Sequence, residues 1–358
     1  MDSKGSVTRS AHPTSASPDA CTPVMDPEPM RLALKRLGLL HDGEQAVLTP
    51  LAGGIASDIW KVELPHKTVC IKRALHRLKV KVEWLVPIER NLYEWRYYEI
   101  AERAAPGAAP RLLAQDTEAY LFVMEYLEPH DYTLWKHQLR DGLADAGFAA
   151  QVGRRLATIH SYTASRPDIA NRFPTDAIFY ASRMESYLEA AARVHPDLEK
   201  QLSVLIDTTM HTKNALVHGD VSPKNILNGP RGPVLLDPEC AFYGDPAFDL
   251  AFCLNHLLLK CLWTPSAREG FLACFESLAR AYLAMVDWEP AAAVEARTAH
   301  LLPGLFLARI DGKSQVEYIT SELDKDLVRR TARLLLLEPV ETLSAVAATW
   351  KQALACAH

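Results

Sequence analysis

The sequence predicts an α+β fold in which a small antiparallel sheet comes first and helices form most of the remainder. Apolar residues alternate and are broken by turns between Leu48 and Ala74, and a further strand is predicted at Tyr120–Tyr126. From residue 131 onward apolar residues recur at helical spacing, as in Phe148–Ser161. One stretch in this helical half, 217–239, returns to strands and turns and carries acids at the strand ends.

Residues 217–239 are interpreted as a hairpin-like unit. An apolar strand leads into Asp220, Asn225 follows five residues later, and a second apolar strand ends at Asp237. Phosphoryl transfer uses one carboxylate to accept a hydroxyl proton, and an Asn with a second carboxylate to hold Mg²⁺. The spacing D-x-x-x-x-N, followed by an Asp after a short strand, is the pattern of kinases. Two carboxylates that merely cap turns are the alternative.

Composition narrows the function classes. The chain has 358 residues, enough for two lobes, and a net charge of −5 gives no support for non-specific nucleic-acid binding. No apolar run is long enough to span a membrane. The seven cysteines include no C-x-x-C pair, so neither disulfides nor a zinc site are expected, and a cytoplasmic location is predicted.

Three regions are predicted along the chain. Residues 1–29 are rich in Ser, Thr, Pro and Asp and are interpreted as a disordered tail. Residues 30–127 form a lobe with the sheet, and 128–358 form a helical lobe with the 217–239 unit. Helices are expected at 30–40, 88–104, 176–211 (one long or two broken helices), 246–262, 266–287, 290–309 and 322–356.

Lys72 ends a predicted strand, Val-Cys-Ile-Lys, in the first lobe. In kinases a lysine at this place pairs with the α/β-phosphates of the nucleotide and with a Glu on the next helix. Glu94 is predicted as that partner, with Glu99 as the second choice. The two are five residues apart and therefore face different directions on their helix. Lys61 lies on the preceding strand and is not chosen.

The remaining nucleotide contacts are assigned to a glycine turn and to a hinge between the lobes. Backbone amides at a glycine turn can cover phosphates, although hairpin turns use glycine for positive φ as well. In the hinge, Met124 is placed behind the nucleotide base, and an ordinary core position is its alternative. The predicted set is Gly53, Gly54, Ser57, Met124, Glu125 and Leu127.

These residues resemble the aminoglycoside phosphotransferase and choline kinase superfamily, whose members share a protein-kinase-like two-lobe fold. The segment His218-Gly219-Asp220, with Asn225, is similar to its catalytic loop. Within the superfamily the chain looks most like the methylthioribose kinases. The matching segments are Trp84 to Glu94, Glu125 to His130, Asp237-Pro238-Glu239 and Arg329-Arg330.

The sequence departs from the methylthioribose kinase pattern in three places, and one of them is the Gly53-Gly54 loop, which is similar to the general superfamily form. Asn225 stands where those kinases lack an Asn, which brings the loop closer to the general superfamily form. The segment from Asp311 to Tyr318 has no counterpart that we can place. These departures leave the acceptor open.

The resemblance implies a role for each candidate residue. Asp220 is the catalytic base, and Asn225, Asp237 and Glu239 hold Mg²⁺ for ATP. His218 and Asp249 support the catalytic loop. The substrate is assigned to Trp84, Arg329 and Arg330.

Two classes of function remain open. The first is an ATP-dependent small-molecule kinase that acts on a hydroxyl, with a methylthioribose-like pentose as the leading acceptor and an aminoglycoside or choline-type amine as runner-up. The second is a nucleotide-binding pseudokinase, which predicts loss of a catalytic residue, yet Lys72, Asp220, Asn225 and Asp237 are all present. Expected partners are the small-molecule acceptor and, by family analogy, a second copy in a homodimer, with no nucleic acid and no membrane.

Overall fold

The first lobe is built on one antiparallel sheet. The computed structural model describes residues 26–51, 57–76 and 87–356. The strands are β1 (Val47–Pro50), β2 (Ser57–Leu64), β3 (Lys67–Ala74), β4 (Leu112–Asp116) and β5 (Leu121–Glu125). They pair in the order β1-β2-β3-β5-β4, which places β3 and its Lys72 in the middle of the sheet. The predicted small antiparallel sheet is confirmed.

In the described part of the first lobe, two helices accompany this sheet. Helix α1 (Glu28–Arg36) buries Met30, Ala33 and Leu34 in the same apolar cluster as Trp60 of the sheet. It begins two residues before the predicted lobe boundary at residue 30, and Pro29 suits its first turn. Helix α2 (Arg90–Ala104) confirms the helix predicted at 88–104. Of the predicted tail, residues 1–25 lie outside the described residues.

Helices form most of the second lobe, as predicted. Helix α9 is buried from Ala247 to Cys261 and packs against α10 and α11, so it lies at the centre of the lobe. The helices are α3 (Trp135–Arg140), α4 (Ala146–Thr163), α5 (Pro167–Ala170), α6 (Asp176–Phe179), α7 (Ala190–Val194), α8 (Glu199–His211), α9 (Ala247–Trp263), α10 (Arg268–Leu283), α11 (Ala291–Asp311), α12 (Glu322–Leu337) and α13 (Leu343–Cys356).

Two helical predictions need correction. The helix predicted at 322–356 is divided into α12 and α13, because Glu338 precedes Pro339 and leaves the helical region with φ −125° and ψ 74°. The segment 176–211 is broken into several pieces, and its middle is a π-helix, Tyr180–Glu189. π-helical turns are rare and frequently occur at functional sites.

The strand pairing around the catalytic stretch also differs from the prediction. Five short strands lie here: β6 (Thr133–Leu134), β7 (Ala215–Val217), β8 (Ile226–Gly229), β9 (Gly232–Leu235) and β10 (Phe242–Gly244). The hairpin consists of β8 and β9, whereas β7 pairs with β10, a strand beyond the predicted unit. Residues 217–239 are therefore two separate pieces of sheet. The acids at the ends of β7 and β9 are not on paired strands.

Two predictions from composition can be compared with the described residues. The cysteines within them are free thiols, and all except Cys356 are buried. Within the same ranges, no helix is long and apolar enough to cross a bilayer.

Candidate active site

The catalytic loop leaves β7 through a turn that only glycine fits. Gly219 has a φ of 80°, and a Cβ there would lie 2.7 Å from the carbonyl oxygen of Cys240. The next residue is Asp220, whose backbone N–H donates to Nδ1 of His218 at 3.2 Å. Burial lowers the pKa of His218. The histidine thus bonds the nearby backbone, as expected from the sequence.

Asp249 holds the same loop from the first turn of α9. Its carboxylate oxygens accept the backbone N–H groups of His218 at 2.7 Å and of Gly219 at 2.9 Å. It also contacts Nε2 of His160 at 3.2 Å, and Nδ1 of that ring lies 2.8 Å from the hydroxyl of Tyr282. Sequence reasoning placed Asp249 against the loop but missed His160 and Tyr282, which belong to α4 and α10.

Asp220 is buried and lies between two cations. Its Oδ2 is 3.2 Å from Nζ of Lys224 and 3.3 Å from Nη2 of Arg183. Burial by itself would raise the pKa of Asp220, but Lys224 and Arg183 outweigh burial and lower it below the ordinary value. The carboxylate is therefore ionised and can accept a hydrogen bond from a hydroxyl.

Sequence reasoning missed Arg183, which lies on the π-helix. Its Nε donates to the carbonyl oxygen of Gly219, and its guanidinium lies 5.7 Å from the ring centres of both Tyr187 and Phe252. Arg183 is buried although it is charged. An arginine within an apolar helical stretch was the one available signal, and nothing in its spacing links it to Asp220.

Asn225 closes the catalytic loop on itself. Its Nδ2 donates to the backbone carbonyl of Asp220 at 3.0 Å, which leaves the amide oxygen as the acceptor atom. Its own carbonyl accepts the backbone N–H of Leu236 at 2.8 Å, one residue before Asp237. This bond joins the loop of Asp220 to the segment that carries Asp237.

Lys72 forms the predicted ion pair with Glu94. Its Nζ lies 2.7 Å from Oε1 of Glu94, and it also contacts Asp237. Burial raises the pKa of Glu94 to about 7 despite the lysine, whereas the two acids outweigh burial and raise the pKa of Lys72. Glu99, the second choice, instead pairs with Arg172 at 2.6 Å.

Asp237 is held in a left-handed backbone conformation, with φ of 65°. Its backbone N–H donates to the hydroxyl of Tyr98 at 2.9 Å, and that hydroxyl donates to Glu94 at 3.1 Å. Burial opposes ionisation of Asp237, but Lys72 and Lys224 lower its pKa to about 2. Tyr98 thus ties α2 to Asp237, a link that was not predicted from the sequence.

Glu239 has a cation partner from α2. Nε of Arg90 lies 3.0 Å from Oε2 of Glu239, and Arg90 also donates to the carbonyl oxygens of Pro87 and Leu75 at 2.8 Å. Burial and the neighbouring Asp237 raise the pKa of Glu239, and Lys72 and Arg90 oppose that rise. Arg90 lies in a segment that carries the family resemblance, but its contact with Glu239 was not predicted.

Comparison with protein-family models identifies the chain from residue 47 to residue 294 as a phosphotransferase enzyme family domain, and this match spans more than half of the chain. The chain belongs to the phosphotransferase enzyme family. This membership makes the protein a small-molecule kinase, and the family implies ATP as the phosphoryl donor.

Curated relatives of this phosphotransferase include methylthioribose kinases of several Bacillus species. The one from Bacillus mycoides (strain KBAB4) is 25% identical over 266 residues, which cover 66% of this chain and 67% of the relative. The methylthioribose kinase of Bacillus cereus (strain 03BB102) is likewise 25% identical, over 264 residues, with 66% and 67% covered.

Solved structures similar to this phosphotransferase are more distant. A choline/ethanolamine kinase family protein from Mesorhizobium loti is 16% identical, with a TM-score of 0.48 over 90% of this chain and 99% of that one. A macrolide 2'-phosphotransferase from Brachybacterium faecium is also 16% identical, with a TM-score of 0.49 over 90% of this chain and 98% of that one.

The oxygen atoms available in this kinase suit a magnesium ion. Mg²⁺ is usually held by one or two carboxylates together with phosphate oxygens. Asp237 provides an ionised carboxylate that is 36% exposed, and Asn225 provides an amide oxygen. Among the described residues no group of three or more His, Cys, Asp or Glu side chains could hold a metal by itself. A site completed by phosphate oxygens requires no such group.

Three of the predicted contact residues, Gly53, Gly54 and Trp84, lie outside the described residues. The others assigned to the nucleotide lie on the sheet of the kinase or follow it. Ser57 is buried at the start of β2, and Met124 is buried opposite Cys70 in the pairing of β5 with β3. The backbone N–H of Glu125 donates to the carbonyl oxygen of Arg111 at 2.9 Å, and Leu127 follows in the connection to the second lobe, partly exposed.

The two C-terminal arginines have contacts of their own. Arg329 binds three acids on the helical lobe: Asp311 at 2.8 Å, Asp326 at 2.7 Å and Glu322 at 3.2 Å. Arg330 lines a groove between α12 and α13. Among the described residues neither arginine contacts a catalytic-loop side chain. Their assignment to the substrate remains a prediction, and these contacts do not support it.

Proposed function

We propose that this kinase transfers the γ-phosphoryl group of ATP to a hydroxyl of a small molecule, with Asp220 as the proton acceptor. The observation that carries the proposal is the ionised carboxylate of Asp220, held between Arg183 and Lys224. Its loop is fixed by Asp249 and is joined to the Asp237 segment through Asn225. The proton acceptor and the nucleotide side are therefore parts of one rigid arrangement.

Asp220 orients the acceptor hydroxyl and takes its proton. A carboxylate with a lowered pKa is a weak base, so its main contribution is to align the hydroxyl oxygen with the γ-phosphorus. The proton moves to Asp220 as the new phosphorus–oxygen bond forms and the bond to ADP breaks. General-base catalysis of this kind contributes roughly 10²- to 10⁴-fold.

Arg183 and Lys224 stabilise the charge on the transferring group. Both approach the same oxygen of Asp220, so they lie where a phosphoryl group in line with the acceptor hydroxyl would pass. Fixed cations at such a position are among the strongest contributions to phosphoryl transfer. Arg183 is buried and bound to Gly219, which keeps its guanidinium in place before substrate arrives.

Lys72 and Asp237 serve the nucleotide. Lys72, oriented by Glu94, binds nucleotide phosphates, while Asp237 and Asn225, with Glu239, would hold Mg²⁺. When bound, the metal neutralises charge on the phosphates of ATP. Gly53, Gly54 and Ser57 are assigned to the phosphates, and Met124, Glu125 and Leu127 to the base.

A methylthioribose-like pentose is the first acceptor to test, because the curated relatives are named methylthioribose kinases. An amine of the choline or aminoglycoside type is the second. Amines call for acids around the acceptor, whereas Asp220 is flanked by Arg183 and Lys224. We also propose a cytoplasmic location, which suits buried free thiols, and a homodimer.

The test is the Asp220→Asn variant, assayed by ADP release with Mg-ATP and a panel of alcohols. Transfer should fall by about 10²- to 10⁴-fold, while the affinity for Mg-ADP stays the same, because Asp220 contacts the acceptor. Asp168→Asn is the matched control, since that exposed aspartate pairs with Arg166 on the surface. Undiminished transfer by Asp220→Asn would remove Asp220 from the mechanism.

A further inference from the structure

Beyond Asp220 the helical lobe contains a group of basic side chains, and the catalytic roles above use only one of them, Lys224. We call Lys224, His256, Lys260 and Arg309 the acceptor-side cluster. They come from the catalytic loop, from two turns of α9 and from the end of α11. The cluster reaches solvent at Lys224, whose side chain is 52% exposed, whereas the other three are buried.

Arg309 is a buried cation with neutral partners. Its Nη1 donates to the hydroxyl of Tyr187 at 3.0 Å, to Oγ of Ser314 at 2.9 Å and to the carbonyl oxygen of Ser314. Its Nε is buried and has no hydrogen-bond partner among the described residues. Within the same ranges no carboxylate pairs with Arg309. Arg309, a residue that is 7% exposed, thus keeps unused hydrogen-bonding capacity.

Lys260 is a second buried cation of this kind. It is 1% exposed, and its ammonium lies 4.1 Å from the ring centre of Trp263 and 4.5 Å from that of Tyr318. Burial lowers the pKa of Lys260 to about 7, and Lys136 adds to this effect while Glu317 opposes it. The two aromatic faces stabilise the cation only in part.

His256 is linked to Lys260 through Tyr318, which contacts both residues. Its Nδ1 is 3.2 Å from the hydroxyl of Tyr318, and its Nε2 is buried without a hydrogen-bond partner in the described part of the chain. Burial lowers the pKa of His256 well below its ordinary value, and Arg309, Lys260 and Lys224 reinforce the shift. The free nitrogen of this imidazole can donate to or accept from a ligand.

The cluster is continuous with the catalytic base. The ring of Tyr187 has Arg183 of the base site 5.7 Å from its centre and Arg309 at 5.5 Å. The ring of Phe252 likewise has Arg183 at 5.7 Å and His256 at 5.6 Å. Two aromatic rings thus connect the arginine at Asp220 with the cluster. Lys224, a member of the cluster, lies 3.2 Å from Asp220, so an acceptor whose hydroxyl is at Asp220 meets the cluster first at this lysine.

We propose that the acceptor-side cluster binds an anionic group, a carboxylate or a phosphate monoester, carried by the same small molecule whose hydroxyl reaches Asp220. This inference rests on the proposed function and puts an anionic acceptor ahead of the neutral methylthioribose-like pentose named there. Buried cations without counter-charges are unfavourable, and an anion that accepts hydrogen bonds from Arg309 offsets that cost. A neutral pentose does not offset it, and a cationic amine adds repulsion.

The test compares matched pairs of probes by calorimetric titration of the protein in saturating Mg-ADP. The pairs are ribose 5-phosphate with ribose, and glycerate with glycerol, so that one arm carries a phosphate and the other a carboxylate. We expect the anionic member of at least one pair to bind about tenfold or more tightly than its neutral partner. Which pair responds identifies the anion.

Arg309→Gln should remove most of this preference and leave the affinity for Mg-ADP unchanged. Arg309→Lys should restore part of it, because the charge returns without the planar donor pair. Arg333→Gln is the matched control, since Arg333 lies on the surface of α12 and pairs with Asp197. If Arg309→Gln does not fold, Lys260→Met supplies the same test from α9.

The proposal is overturned if neither anionic probe binds better than its neutral partner, or if Arg309→Gln and Lys260→Met both keep the preference. Tighter binding of choline than of either anion would also overturn it. Asp220→Asn separates this inference from the proposed function, because it should keep the anion preference while transfer is lost. Full transfer by Asp220→Asn with the preference intact would refute only the catalytic role.

Discussion

Buried cations lie on both sides of Asp220, but they are compensated differently. On the nucleotide side Lys72 contacts two carboxylates, those of Glu94 and Asp237. On the acceptor side Arg309 and Lys260 contact hydroxyls, a carbonyl and aromatic rings, and no acid among the described residues. Lys72 thus has its counter-charges before ligand binds, whereas Arg309 and Lys260 contact no carboxylate among the described residues.

The two regions differ in what neutralises their buried charges. A buried ion pair roughly offsets the desolvation of its two members, while a single buried charge leaves the full cost in place. The pKa of Glu94 is raised to about 7, so burial of this carboxylate outweighs the stabilisation that Lys72 provides. On the acceptor side either a bound ligand supplies the missing negative charge, or a buried cation loses its proton and with it its charge.

The largest expected effect comes from breaking the compensated side. Lys72→Met leaves the carboxylate of Glu94, 1% exposed, without its cation, and breaking a buried pair in this way costs about 3–5 kcal/mol. The free energy of unfolding, measured by urea denaturation, should fall by this order. The thermal stabilisation by Mg-ADP should be lost as well, because we propose that Lys72 binds the phosphates.

The double variant Lys72→Met/Glu94→Gln provides the control. It removes both charges, so much of the lost stability should return although nucleotide binding does not. A double variant that is no more stable than Lys72→Met would show that the ion pair is not the source of the loss. An unchanged Mg-ADP shift in Lys72→Met would remove the lysine from the nucleotide site.

A smaller effect is expected from the uncompensated side, and it depends on pH. Because the pKa of Lys260 is about 7 in the folded chain and near 10.5 when unfolded, the folded state binds fewer protons between these values. The contribution of Lys260 to the free energy of unfolding therefore rises with pH across that window. From pH 7 to pH 9 this amounts to about 2 kcal/mol.

Urea denaturation of wild type and Lys260→Met at both pH values measures this contribution as a difference, so that other titrating groups cancel. Lys136 and Glu317 face Lys260 from α3 and from the segment after α11, Tyr318 faces it from the same segment, and His256 lies one turn earlier on α9. Parallel stability profiles for the two proteins would contradict the lowered pKa of Lys260.

Anion binding should weaken as pH rises through 7, because the uncharged amine of Lys260 no longer attracts the ligand.

The smallest effect is expected at Lys61, on the strand before Lys72. Its ammonium lies 3.1 Å from Glu63, but the pair is open to solvent, with side-chain exposures of 26% and 49%. Exposed pairs often contribute nothing measurable. Lys61→Met should therefore unfold at the wild-type urea concentration and keep its Mg-ADP shift. A loss comparable to that of Lys72→Met would mean that burial is not what distinguishes the two lysines.

Much of the site was predictable because the relevant residues are close in sequence or lie on adjacent elements. Asp220 and Asn225 lie in one loop and bond to each other, and Asp249 bonds that loop from the next long helix. Lys72 and Glu94 lie on a strand and the helix that follows it, so strand and helix periodicity identified the pair. The division of the helical region at Pro339 was missed, because apolar periodicity continues across it.

By itself, the sequence determined the fold class, the loop around Asp220 and the nucleotide pair, since each depends on local periodicity or short spacing. Only the tertiary structure brought Arg183 to the oxygen of Asp220 that Lys224, four residues along the same loop, also contacts. It also paired β7 with β10 and set Arg309 apart from Arg329. Both of these last arginines lie on helices near the C-terminus, but Arg329 meets three acids and Arg309 meets none among the described residues. Burial and distant partners decide this difference, because a charge acquires its environment only when the chain packs.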